Sequence, residues 1–177
     1  MMLQISILVA ALLLLAVLFI ASRPAAFTIS RRAVIPAPPT RVFAAVNRLA
    51  SWPAWSPWAR LDPQMQTSLS GPEEGVGAIS SWSGNREVGR GMMTIAASEP
   101  SRRLEIRLDF EAPMKATNIA EFRFVEVEGG TELTWSMSGT NGFVGKIFGL
   151  FFDCDKMVGA QFEQGLANLA AEMQRGG

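Results

Sequence analysis

The sequence predicts an α+β fold, in which helices cover one face of an antiparallel sheet and one membrane-spanning helix precedes the sheet. Three observations lead to this prediction. An apolar segment opens the chain, a central region alternates apolar and polar residues between turn signals, and a final segment is apolar at helical spacing. We expect the last two regions to pack together, because a sheet that is apolar on one side must have that side covered.

Composition limits the functions that are open to the chain. With 177 residues, a formal charge of zero and 49% hydrophobic residues, it can form one domain with a substantial core and an appendage. Histidine, which titrates near neutral pH and is the commonest metal ligand, does not occur in the sequence. We therefore expect no metal and no cofactor. The balanced charge includes no basic block, and this predicts no nucleic-acid partner.

The first segment predicts a membrane anchor. Between Leu3 and Ser22 the only polar residues are Gln4 and Ser6, and about 20 helical residues cross the hydrocarbon core of a bilayer. A cleaved signal peptide is the alternative, but the segment lacks a basic start and a convincing small-x-small cleavage site. We expect residues 1–24 to be a retained anchor that contacts the membrane through residues 3–22. Residues 25–177 are then the folded domain.

The side of the membrane follows from the basic residues beside the span. Arg23, Arg31 and Arg32 come after it and nothing basic comes before it, so the positive-inside bias predicts a single-pass protein with a cytoplasmic domain. The single cysteine, Cys154, requires no oxidising compartment. Because no histidine is present to activate Cys154, we interpret it as a small buried residue and not as a nucleophile.

The folded domain begins with a strand and a short helix. Phe27 to Ile35 is rich in β-branched residues and partly alternating, and it stops at a proline-rich stretch, which predicts a strand. The apolar residues Val42, Phe43, Val46 and Leu49 then recur at helical spacing and predict a helix of about three turns.

Three of the five tryptophans lie in the run from Trp52 to Trp58, which two prolines stiffen. Each buried indole removes on the order of 200 Å² from water, so the run must pack against a large apolar surface. We interpret Trp52 and Trp55 as a plug at the end of the sheet, with Trp58 the most exposed. The alternative is a rim that closes on a ligand or rests at the membrane interface.

From Gln64 onward the pattern predicts an antiparallel meander. In the clearest strand, residues 104–110, the even positions are apolar and the odd positions are charged. The charged residues Glu105, Arg107, Asp109, Glu121 and Arg123 predict cross-strand ion pairs on the solvent face. Turn signals separate the strands at Gly71-Pro72, Ser83-Gly84-Asn85, Glu99-Pro100-Ser101, Pro113 and Glu128-Gly129-Gly130.

The final segment predicts a long helix. From Phe143 to Arg175 the apolar residues step by three or four positions and no proline interrupts them. We expect a break near Asp153.

Several phrases carry a resemblance to a known family. They are Ile35 to Phe43, Trp52 to Trp58, Gly71 to Ala78, Trp82 to Asn85, Thr131 to Trp135 and Phe162 to Leu169. In these phrases and in the order in which they occur, the chain resembles the SRPBCC or START-related superfamily, and in particular its polyketide cyclase/dehydrase-like branch. The resemblance implies a helix-grip fold, in which a curved antiparallel sheet wraps around the long C-terminal helix and a hydrophobic cavity lies between them.

What the resemblance implies for function is the binding of an apolar ligand. Inward-facing aromatic and methionine side chains are adaptable apolar groups of the kind that line such cavities, although any one of them can instead belong to the packed core. The candidate ligand-binding residues are Trp55, Trp58, Trp82, Phe110, Phe124, Trp135, Met137, Met157 and Phe162.

Three functions follow from this interpretation. The first is a membrane-anchored domain that binds a lipid, an isoprenoid or a polyketide-like molecule. The second is a cyclase or dehydratase that uses Asp153, Asp155 or Glu105 as acid or base. We assign no catalytic residue, because the inward positions are mostly apolar where enzymes of the superfamily carry ionisable groups, and we favour a non-enzymatic function. The third is a ligand-free protein-interaction module, for which the sequence names no partner.

Overall fold

The computed structural model describes residues 2–175. Met1, Gly176 and Gly177, where the predicted anchor begins and the predicted domain ends, lie outside the described residues. In the part described, seven strands form one antiparallel sheet in the order β1-β7-β6-β5-β4-β3-β2. The strands are β1 (Ala26–Ile35), β2 (Gln66–Ser70), β3 (Ile79–Ser83), β4 (Arg90–Glu99), β5 (Arg103–Ala112), β6 (Ala116–Val127) and β7 (Gly130–Thr140).

The helices lie at the two ends of the chain and between the first two strands. Two segments of the tryptophan region are helical, one of them a short 3₁₀ helix, Leu49–Ala54. The α-helices are α1 (Met2–Ser22), α2 (Pro39–Asn47), α3 (Trp58–Leu61), α4 (Phe143–Phe151) and α5 (Cys154–Arg175).

The first helix is a candidate membrane anchor. Its segment Gln4–Ser22 is long and apolar enough to cross a bilayer, a property that signal sequences share. Its apolar side chains are exposed and take no part in the core of the folded domain.

The sheet follows the predicted meander, with β1 added beside β7. Each observed strand from β2 to β6 ends at one of the predicted turn signals, because glycine and proline stop a ladder where they occur. The predicted break in the last helix is also present, since α4 ends at Phe151 and α5 begins at Cys154. The carboxylate of Asp153 accepts a hydrogen bond from the backbone N–H of Lys156 at 3.0 Å and caps α5.

Helices cover one face of the sheet, which we call the inner face. The long helix α5 packs on β1, and α2 packs on β6 and β7. The side chain of Arg41 in α2 donates to the carbonyl of Met173 near the end of α5 at 3.2 Å, which joins the two covering helices. The inner face and its cover form a single core cluster, in which Leu104, Phe122 and Leu133 are fully buried.

The opposite, outer face carries the charged residues. Arg103 on β5 pairs across the sheet with Glu121 on β6, with Nε 2.6 Å from Oε2. Other pairs formed by the expected residues run along a strand, because residues two positions apart share a face: Arg107 pairs with Asp109, and Arg123 pairs with Glu121. The expected cross-strand pairs are therefore mostly pairs within one strand.

Two local expectations were wrong. The helix predicted from Val42 to Leu49 corresponds to α2, which ends at Asn47. Leu49 belongs instead to the 3₁₀ helix that follows, where Pro53 prevents a regular α-helix. Cys154 was expected to be buried but is exposed. It is the first residue of α5, at the junction with α4, and the residues on either side of it are also exposed.

Candidate ligand-binding surface

An aromatic cluster fills part of the space between the inner face and α5. Trp135 of β7 lies at its centre, stacked on Phe162 of α5 with ring centroids 4.3 Å apart and planes inclined by 10°. Phe122 of β6 also stacks on Trp135, at 4.9 Å. Trp52 and Trp55 meet these rings edge-on, at centroid distances of 5.7 to 6.4 Å. We call these five residues the aromatic plug.

The tryptophan run is held in place by hydrogen bonds to two helices. The indole N–H of Trp52 donates to the carbonyl of Val46 in α2 at 2.9 Å. Asn168 of α5 donates from Nδ2 to the carbonyl of Trp55 at 3.0 Å, and Gln164 donates to the oxygen of Asn168. Trp55 is only 1% exposed, as its interpretation as a plug requires.

Two buried indole donors in the plug have no acceptor among residues 2–175. They are Nε1 of Trp55 and Nε1 of Trp135. A buried donor without an acceptor costs about 1–3 kcal/mol, so apolar stacking must offset this cost for the plug to be stable.

Beyond the plug, the inner face continues as a half-buried apolar surface. One row of cross-strand partners runs Phe27, Gly139, Asn118, Leu108 and Met93 across five adjacent strands. Cross-strand partners share a face, so these residues lie side by side. Together with three neighbours they form what we call the inner-face patch, whose side chains are Phe27, Trp82, Met93, Leu108, Phe110, Asn118 and Met137.

The inner-face patch contains a polar side chain, that of Asn118. It is buried, and its Nδ2 lies 3.8 Å from the sulfur of Met137, a weak acceptor. Gly139 makes room for it, because a Cβ at that position would collide with Oδ1 of Asn118. At the other side of the patch, Trp82 and Phe110 meet edge-on at 5.6 Å.

The nine predicted ligand residues divide into three groups. Trp55, Phe124, Trp135 and Phe162 are buried in the core, and Trp58 is half-buried against Trp135 and Phe162. Trp82, Phe110 and Met137 lie in the inner-face patch. Met157 is 55% exposed on α5.

Sequence reasoning did not select Phe27, Met93, Leu108 and Asn118. The period-two alternation places Leu108 on the inward face, and alternation in β1 and β6 was a signal for Phe27 and Asn118. The sequence of β4 does not alternate and held no such signal for Met93.

Two depressions elsewhere on the surface are defined by other residues. One of about 180 Å³ lies between Leu49, Leu69 and Pro72. The other, of about 480 Å³, is shallow and lies at the junction of α4 and α5, beside Phe151 and Cys154. Neither includes any of the nine predicted residues.

A basic residue of the inner face holds the start of α5. Arg31 of β1 is the cross-strand partner of Trp135, and its guanidinium pairs with Asp155 at 2.9 Å and with Glu163 at 2.8 Å. Gly159 of α5 lies above it, where a Cβ would collide with the guanidinium. The hydrogen bonds from Arg31 hold the pKa of Asp155 below its ordinary value.

None of the carboxylates considered for catalysis belongs to the inner-face patch. Glu105 is on the outer face, paired with Arg103. Asp153 caps α5, and Asp155 pairs with Arg31. Within residues 2–175 there is also no group of three or more acidic, cysteine or histidine residues that could hold a metal ion. The chemistry that the patch offers is apolar contact with one amide.

A curved antiparallel sheet that wraps around a long C-terminal helix defines the helix-grip class of proteins. The model of the family described as polyketide cyclase / dehydrase and lipid transport matches residues 26–174, and the chain belongs to this family. No curated protein matches the chain.

Solved structures share the fold. Protein CV1439 from Chromobacterium violaceum is 17% identical, with a TM-score of 0.60 over 81% of this chain and 94% of that chain. Ara h 8.0201 is 13% identical, with a TM-score of 0.57 over 85% and 99%. The di-domain ARO/CYC BexL from the BE-7585A biosynthetic pathway is 13% identical, with a TM-score of 0.61 over 86% of this chain and 51% of BexL. Similarity at this level of identity shows the fold alone.

Proposed function

We propose that the chain is a membrane-anchored helix-grip domain that binds a small apolar molecule on its inner-face patch. The observation that carries this proposal is that the patch stays half-exposed while the aromatic plug beside it is closed. Apolar side chains left half-exposed on a concave face, with a few polar groups among them, are typical of ligand sites. Leu108, Met93 and Phe110 supply the apolar contact and Asn118 supplies the polar group.

The position of the patch relative to the anchor supports this function. Phe27 is the second residue of β1, a few residues after the end of α1. Its cross-strand partner Gly139 is near the end of β7, just before α4. The patch therefore lies at the end of the sheet where the chain enters from the anchor. An apolar molecule dissolved in the membrane would meet this end of the domain first.

The chemistry of the patch suggests a ligand with an apolar body and a polar end. Lipids, isoprenoids and polyketide-like molecules share this property, and the family description includes lipid transport. The amide of Asn118 can both donate to and accept from an oxygen-containing group, and it selects no charge.

The anchor would favour ligand binding by keeping the domain at the membrane. A retained α1 keeps the patch close to a membrane-dissolved ligand, which raises the effective concentration of that ligand without any new contact. Arg23, directly after the span, favours a cytoplasmic position for the domain.

Ligand extraction and titration test the proposal. Full-length protein is purified from membranes in detergent, bound small molecules are identified by mass spectrometry, and binding of an apolar fluorophore is titrated. Leu108→Trp fills the patch and should weaken fluorophore binding at least tenfold, which is about 1.4 kcal/mol. The matched control is Val125→Trp, at an exposed position on the outer face, which should bind as the unaltered protein does.

Two results would contradict the proposal. One is purified protein that carries no small molecule and binds no fluorophore. The other is equal binding by the Leu108→Trp and Val125→Trp variants, which would place the ligand away from the inner-face patch.

A further inference from the structure

The short helix α4 exposes an apolar surface that no other described residue covers. Val144 is 62% exposed and Phe151 is 77% exposed, and α4 carries a single charged residue, Lys146. Helices of a folded domain normally turn such residues inward, so an apolar surface of this size indicates a contact with another body. The exposed residues are Phe143, Val144, Phe148, Leu150, Phe151 and the adjoining Phe152.

The same helix lies against the end of the candidate anchor. α1 and α4 are in contact, and the ammonium group of Lys146 donates to the backbone carbonyl of Ala21 at 2.8 Å. Ala21 is in the last turn of α1, whose carbonyls have no partner within the helix. The contact therefore sets the position of α4 relative to the anchor.

That position corresponds to the boundary of a bilayer. An apolar helix of about 20 residues is as long as the hydrocarbon core is thick, so its last turn lies at the level of the headgroups. Lys146 and Arg23 lie at this level, and Arg23 is placed over the ring of Phe19 at 4.7 Å. Cations above a layer of apolar side chains match the phosphates and acyl chains of an interface.

We propose that α4, together with Phe152, is a second membrane contact that lies in the bilayer interface beside α1. The inference rests on the membrane anchoring in the proposed function. A bilayer is favoured over a second copy of the chain or a soluble partner, because α4 is fixed at the end of a span that must itself be in lipid. Two contacts with one leaflet orient the domain so that the inner-face patch, at the same end of the sheet, opens toward the lipid.

Spin labels on the full-length chain test this contact. The protein carries Cys154→Ser and is placed in nanodiscs of phosphatidylcholine and phosphatidylglycerol. A nitroxide is attached through Val144→Cys or Phe151→Cys in α4. Leu13→Cys in α1 is the reference for lipid, and Val125→Cys on the outer face is the matched control for water, since Val125 is about as exposed as Val144. Collision with oxygen, which enters lipid, is compared with collision with a nickel chelate, which does not.

We expect the labels in α4 to collide more with oxygen and severalfold less with nickel than the label at position 125. A second measurement uses the native Cys154, labelled in the otherwise unaltered chain. Its nickel collisions should rise when Val144→Asp makes α4 polar, because the helix then leaves the interface.

The outcomes separate the two proposals. If the α4 labels behave as the label at position 125 does while Leu13→Cys reports lipid, the contact through α4 is overturned and the anchor stands. If Leu13→Cys reports water, the anchor is overturned and the inference falls with it. Protection of the α4 labels from both reagents, with dipolar coupling between labels, would show that a second copy covers α4 and would also overturn the inference.

Discussion

The indole of Trp135 and the ring of Phe162 stack with their centroids 4.3 Å apart and their planes inclined by 10°. One residue belongs to β7 and the other to α5, so this contact joins the sheet to its covering helix. The aromatic plug around the pair closes one part of the inner face and leaves the inner-face patch as the open part.

Removing the ring of Phe162 should destabilise the domain strongly. Phe162→Ala leaves a cavity beside Trp135, and we expect the free energy of unfolding to fall by about 3–5 kcal/mol. Denaturant unfolding in detergent, followed by tryptophan fluorescence, measures this. Lys156→Ala, at an exposed position of the same helix, should change it by less than about 0.5 kcal/mol. Equal losses in the two variants would mean that the stack does not join helix to sheet.

The close approach of α5 to the sheet requires a glycine at position 165. A Cβ there would lie 2.7 Å from a ring carbon of Trp135 and 3.2 Å from Pro57. Gly165→Ala should therefore cost about 1–3 kcal/mol of unfolding free energy through overpacking. Gly149→Ala is the control, because a Cβ at position 149 in α4 meets nothing within 4 Å. That change should stabilise by roughly 0.5–1 kcal/mol, and a stabilising Gly165→Ala would refute the close packing.

The amide of Asn118 should matter only for ligands with a polar end. Asn118→Leu removes the hydrogen-bonding group and keeps a side chain of similar size. We expect the affinity for a fatty alcohol to fall about two- to tenfold, as for the loss of one hydrogen bond. The affinity for a hydrocarbon fluorophore should stay the same or rise. A parallel loss for both probes, measured by competition titration, would show that the change disturbs the patch itself.

The ion pair between Arg31 and Asp155 should make the start of α5 sensitive to acid. Hydrogen bonds from Arg31 lower the pKa of Asp155 in the folded state below its ordinary value of 3.8. The ion pair therefore stabilises the folded protein at pH values above 3.8, and this stabilisation is lost as the pH falls through the lower pKa of the folded state. Asp155→Asn should speed amide exchange in the first turns of α5 at neutral pH. The difference from the unaltered protein should shrink below about pH 3.8.

A double-mutant cycle provides the control for this ion pair. In an Arg31→Gln background, Asp155→Asn should have little further effect on amide exchange, because its partner is already absent. An undiminished effect would show that Asp155 acts through the N-terminal end of α5 and not through Arg31.

Local patterns in the sequence determined the elements and their order. Alternation along Leu104 to Phe110 specifies a one-faced strand, and turn residues such as Gly129 and Gly130 specify where strands stop, because these effects act over a few residues. The phrases shared with the helix-grip family then identified the fold. Sequence reasoning also selected three side chains of the inner-face patch, Trp82, Phe110 and Met137, but not the other four.

Tertiary structure alone decided which inward residues are closed off and which stay open. Arg31 meets Asp155 across 124 residues of sequence. Phe162 meets Trp135 from a separate element, α5 against β7, and no local pattern encodes either contact. The location of α4 beside α1 was likewise decided by the contact of Lys146 with Ala21. Periodicity specifies the face of an element, whereas burial depends on which other element reaches that face.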